Sequence, residues 1–127
     1  MRRLLLPCLM MLAAIATPAA AHQERLSGGE WVLKGATGNR PASIKFEAGR
    51  VSGSGGCNRF GGTYKLEGDQ LSFSALVSTR MACAPEVMEK EQAYFDLLSR
   101  VRSVALAGHE LELRDGDGKA LASFMRE

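Results

Sequence analysis

Two histidines, His22 and His109, are all that the 127 residues offer, and this scarcity removes most hydrolytic chemistry. A serine or cysteine nucleophile needs a positioned base beside it. His22 would stand near a free N-terminus and His109 in a hairpin turn, so neither is placed to serve. Acids are plentiful, but no pair stands in a pattern that suits glycoside cleavage. Beyond residue 15 there is no apolar run approaching the roughly 20 residues that cross a bilayer, so no membrane span is expected. Excess charge is missing too: the 16 basic residues outnumber the 14 acidic ones by two, and Arg2 and Arg3 supply both. A nucleic-acid partner is not expected without a basic stripe. The glycine-rich stretch from Gly53 to Gly62 lacks the Gly-Lys-Ser/Thr ending of a phosphate loop. Its glycines suit bulges, sharp bends or close backbone approach in coiled strands. No catalytic residue and no cofactor is assigned, and the chain reads as a non-enzyme.

What is present begins with an export signal. Arg2 and Arg3 precede an apolar run and then Thr17-Pro18-Ala19-Ala20-Ala21, a pattern that predicts a signal peptide over residues 1–21, cleaved after Ala21. The expected location is periplasmic or secreted. Cys8 lies inside the apolar run after Pro7, not at the cut behind small residues, so lipid attachment is not expected. Cys57 and Cys83 remain as an even pair in an oxidising compartment, and the reading is a disulfide. Such a bridge stabilises by about 3 kcal/mol in the chain-entropy model. Two buried thiols are the bland alternative. A redox couple is the sharp one, and the absence of a Cys-x-x-Cys spacing weighs against it.

Residues 22–127 form one domain with one modest core. Period-two alternation, as in Ser43-Ile44-Lys45-Phe46-Glu47 and Glu110-Leu111-Glu112-Leu113-Arg114, predicts strands over 30–35, 42–47, 50–55, 59–66, 70–74, 103–107, 110–114 and 119–125. The connections are so short that they suit hairpins, so the sheet is antiparallel. One helix is predicted over 85–100. Pro85 opens it, Glu86 and Glu89 complement its positive start, and Arg100 and Arg102 lie near its negative end. Its apolar stripe of Val87, Met88, Tyr94, Phe95 and Leu98, continuing to Val101, faces the sheet, while the acids from Glu86 to Glu91 read as a solvated face. Residues 22–29 read as a mobile tail. The fold class is therefore α+β, mostly β, with about eight strands in a curved antiparallel sheet and one helix packed across it.

Several motifs stand in order: Trp31; Gly56-Cys57-Asn58 with Gly62 and Tyr64; Gly68-Asp69-x-Leu71; Thr79-x-Met81-Ala82-Cys83; and Glu91-x-x-x-Phe95 leading into Leu98. Over almost the whole exported chain this pattern resembles the META domain family. The resemblance implies a small antiparallel sheet curled into a half-open barrel with one helix across it. It implies association with heat and envelope stress, antibiotic tolerance and, in parasite members, virulence, with no general catalytic mechanism or common ligand. Cys57 and Cys83 fall on the family's two motif cysteines, which supports the bridge. Members are often lipid-anchored, and this chain lacks the cysteine for it.

The expected function is a stress-associated, monomeric binding module whose partner is an envelope protein or a small ligand. Asn58 and Arg80, beside the two cysteines, form the candidate interaction surface, with Arg80 presenting its planar donor fork. The structural alternative has Asn58 satisfying a turn and Arg80 capping carbonyls or pairing with a helix acid such as Glu91. The competing functional class is a carrier of a small ligand in the barrel interior. A metal variant of it uses the amine and imidazole of His22 with His109 as three nitrogens for copper. A disordered terminus and a surface turn explain both histidines without metal, and no metal site is assigned.

Overall fold

The computed structural model describes Leu12, Ala13 and residues 25–126. The signal peptide, its cleavage after Ala21 and the His22 copper suggestion lie outside the described residues, apart from Leu12 and Ala13. Among the described residues nine strands and one complete helix follow in the order β1 (Trp31–Leu33), β2 (Ser43–Glu47), β3 (Arg50–Ser54), β4 (Arg59–Glu67), β5 (Gln70–Phe73), β6 (Val77–Ser78), α1 (Pro85–Ser99), β7 (Ser103–Ala107), β8 (Glu110–Arg114) and β9 (Ala120–Met125). All pairings are antiparallel. The strand order is β3-β2-β1-β9-β8-β7-β5-β4, and β3 also pairs with β4, so eight strands close into a barrel.

Closure is uneven. Strands β3 and β4 are in register from Arg50↔Thr63 to Ser54↔Arg59. Strands β5 and β7 meet at Gln70↔Ser103 alone, supported by the Leu71 amide donating to the Arg102 carbonyl and the Val104 amide to that of Asp69, each at 2.9 Å. Strand β6 was not foreseen. It has two residues, too few for alternation, and it lies on β4 through Phe60↔Ser78 and Gly61↔Val77 at the end of the strand order.

The alternation does what it predicts: Ile44, Phe46, Leu111, Leu113 and Phe124 are buried inside the barrel. Each such side chain contributes about 1.5–3 kcal/mol on leaving water. Aromatic rings fill the interior edge to face, with Phe46 and Tyr64 centroids 5.1 Å apart and Phe60 and Phe95 5.7 Å apart. The Tyr64 hydroxyl is buried there with no hydrogen-bond partner among the described residues.

Helix α1 starts at Pro85 with no side-chain cap. Its far end is closed by Arg102, whose guanidinium donates to the carbonyls of Ser99 and Val101 at 3.2 and 2.7 Å, as a cation at a helix C-terminus should. The expected mobile tail needs correction where it is described. Leu26 is 0% exposed, and its carbonyl accepts from the Trp31 indole at 2.9 Å. The Arg126 guanidinium lies 4.0 Å over the Trp31 ring and donates to the carbonyls of Ser27 and Arg25. A cation–π contact and backbone bonds thus tie this segment to the last strand.

Candidate functional site

The ordered motifs converge on one buried cluster between the β3–β4 turn and α1. The turn opens at Gly55-Gly56, where the Gly55 amide donates to the Asn58 carbonyl at 2.9 Å. A side chain at Gly55 would place its Cβ 2.7 Å from Glu91 Cγ and 2.9 Å from the Phe95 ring. Glycine is therefore what lets the helix approach the turn. Gly56 has φ of 118°, a conformation that other residues rarely adopt. This turn aims successive N–H groups at one point, an anion-binding arrangement of backbone.

The anion is Glu91. Its Oε2 accepts from the amides of Cys57 and Asn58 at 2.8 and 2.6 Å, and its Oε1 from Asn58 Nδ2 at 2.6 Å. Glu91 and Asn58 are each only 3% exposed. Reading Glu91 as part of a solvated helix face was wrong, for a physical reason: the carboxylate is buried because three donors replace its water. The signal was available in the spacing, since Glu91 lies three, four and seven residues before Tyr94, Phe95 and Leu98, on the apolar face.

Asn58 then reaches the second motif. Its Oδ1 accepts from the Met81 amide at 2.7 Å and the Thr79 hydroxyl at 2.9 Å, while Nδ2 donates to the Met81 carbonyl at 3.2 Å. A disulfide joins Cys57 to Cys83 with their Cα atoms 6.1 Å apart. One asparagine, one carboxylate and one bridge therefore hold the loop that follows β6 against the barrel.

Of the candidate interaction pair, Asn58 is an internal fastener and Arg80 is exposed on the held loop. The two are neighbours in the fold, but the considered pairing of Arg80 with Glu91 is not made; the ion pairs among the described residues are Lys34–Glu110, Lys45–Glu47 and Arg114–Glu112. Flanking Arg80 outward are Val77, 74% exposed, and Met81, 51% exposed. His109 sits exposed between β7 and β8, its carbonyl accepting from the Arg126 amide. Among the described residues no group of three His, Cys, Asp or Glu is placed to hold a metal ion, and no helix is long and apolar enough to cross a membrane.

A second polar tie crosses the interior. The Tyr94 hydroxyl donates to the Ser43 carbonyl at 2.8 Å. Burial, with a smaller contribution from the charge of Glu30, pushes its ionisation far above the ordinary tyrosine range.

Comparison with known proteins agrees with this geometry. Residues 24–127 match the model of the META domain. The chain is 33% identical over 102 residues to the heat shock protein HslJ of Escherichia coli (strain K12), an alignment covering 74% of this chain and 72% of that one. An NMR structure of a protein from Burkholderia xenovorans superposes with a TM-score of 0.67 at 25% identity, over 96% of this chain and 99% of the other. The crystal structure of a DUF4847 family protein from Bacteroides vulgatus shares the fold alone, with a TM-score of 0.64 at 14% identity over 84% and 97% of the two chains. With the family's model matched across nearly all of the described residues, the chain belongs to the META domain family.

Proposed function

We propose that the protein is a non-enzymatic, exported module of the periplasm or extracellular space that answers heat, envelope stress or antibiotic exposure by binding another envelope protein as a monomer. The likeness to HslJ, named a heat shock protein, supports the stress association. The observation that carries the binding role is β6 with the loop after it: the bridge, Asn58 and Glu91 fix the loop backbone, while Val77 of β6 and Arg80 and Met81 of the loop are exposed. A pre-ordered loop loses little conformational entropy on docking. It offers two apolar anchors and a guanidinium fork for a carboxylate. The strand order ends at β6, where an extended segment of the partner adds by backbone pairing. A carrier role through the barrel interior is less well supported, because aromatic and aliphatic side chains fill that space.

The test replaces Arg80 and Met81 together by Glu and Asp, which changes exposed side chains and keeps the backbone groups through which Met81 joins the buried cluster. A photo-crosslinker at Val77 in intact cells should capture one discrete envelope protein, and the double variant should lose that adduct and stress tolerance at unchanged abundance and thermal midpoint. Full tolerance in the double variant at equal abundance sinks the reading.

A further inference from the structure

A groove of about 640 Å³ lies between the β1–β2 connection, the Gly55-Gly56 turn and α1. Its size is that of small-molecule sites, roughly 300–1,000 Å³. Leu33, Ala42, Val87, Ala93 and Leu97, with the Tyr94 ring, give it an apolar floor. Its charged lining is Lys34, Arg40 and Lys90 against the single acid Glu86. Lys34 is committed to Glu110 at 2.8 Å, whereas Arg40 and Lys90 enter none of the ion pairs among the described residues.

The backbone beside the groove narrows the choice of occupant. Strand β1 is hydrogen-bonded to β2 on one side and β9 on the other, and β2 is likewise paired on both edges. An extended peptide has no ladder to join here. Affinity must come from apolar burial and from an anion at the rim. We propose that this groove binds a single-chain amphiphile with a carboxylate head, a long-chain fatty acid anion, whose alkyl chain lies on the apolar floor and whose head meets Arg40 and Lys90. The site goes beyond the loop-docking reading and is independent of it, because it uses neither Arg80 nor Met81.

Titration of ¹⁵N-labelled protein with decanoate and dodecanoate below their micelle concentrations tests the site. Amide shifts should centre on Ala36, Gly56, Val87 and Ala93, and affinity should rise up to about fourfold per added methylene, the fold-change set by burying one CH₂. The double variant Arg40→Glu/Lys90→Glu should weaken dodecanoate at least tenfold and favour dodecyltrimethylammonium. Ala93→Trp, at an exposed position of the groove, should abolish binding with the thermal midpoint unchanged. Equal binding of the anionic and cationic amphiphiles by the unmodified protein overturns the proposal. So do shifts centred elsewhere, or no shifts up to the solubility limit.

Discussion

The barrel is closed twice, by different physics. At β3–β4 a full ladder is backed by a disulfide and by a buried carboxylate that gathers three donors. At β5–β7 the sheet meets at one register position, and the amides of Leu71 and Val104 reach carbonyls at the strand ends. The first closure is polar, buried and covalent; the second is a thin ladder of backbone bonds. Since local opening follows the weakest set of contacts, the thin seam is expected to open before the β3–β4 side. The loop after β6 belongs to the other side, so the covalent and buried polar restraints are concentrated around it.

Glu91→Ala breaks that contrast most strongly. It strands the N–H groups of Cys57 and Asn58 and the Asn58 amide in a buried site, at about 1–3 kcal/mol for each group left unpaired. The expected loss is about 3–5 kcal/mol, a large share of the ~5–15 kcal/mol that holds a domain folded. Chemical denaturation measures the loss. Hydrogen exchange locates it: Leu71 and Val104 should exchange before Asn58 in the unmodified protein and after it in the variant. A loss under about 1 kcal/mol would mean that the carboxylate is not the fastener described.

Replacing Cys57 and Cys83 together by Ser comes next, at about 3 kcal/mol for the loop that the bridge closes. The bridge and Glu91 restrain the same loop, so their effects should not add. A double-mutant cycle with Glu91→Ala should show a coupling of about 1 kcal/mol or more. Strict additivity would separate the bridge from the polar cluster and make the clamped side two independent devices.

Much of this was legible in the chain, and the failures share a cause. Ile44 and Phe46, or Leu111 and Leu113, announce strands because burial on one face imposes alternation within a few residues. The cysteine pair was readable from its even number and an expected oxidising compartment. Glu91, β6 and Leu26 escaped because each is set by a partner far along the chain: the Asn58 turn, the edge of β4, and Arg126 at the other terminus; for Glu91 the helical spacing gave its face but not its donors. A polar residue on a helix reads as solvated until something supplies donors. A two-residue strand has no period at all. Asn58 shows the limit for sites: its position beside Cys57 was readable, but only the fold tells a surface asparagine from one whose amide is spent on Glu91 and Met81.

The smallest expected effect concerns Tyr94, whose hydroxyl ties α1 to Ser43 of β2 on the clamped side. Its folded-state ionisation is pushed up by burial, so in strong base the folded chain keeps a proton that the unfolded chain gives up near pH 10. The folded state then holds more protons than the unfolded one, and stability falls as pH rises. This contribution is fully present below about pH 10 and is lost above it. Tyr94→Phe should cost about 1 kcal/mol at pH 7, the ordinary worth of a hydrogen bond, with the gap to the unmodified protein closing by pH 11. Urea unfolding at pH 7, 9, 10 and 11 reads the difference directly. Parallel curves across that range would mean that the tyrosine ionises as readily folded as unfolded, and that its bond to β2 does not belong to the clamp.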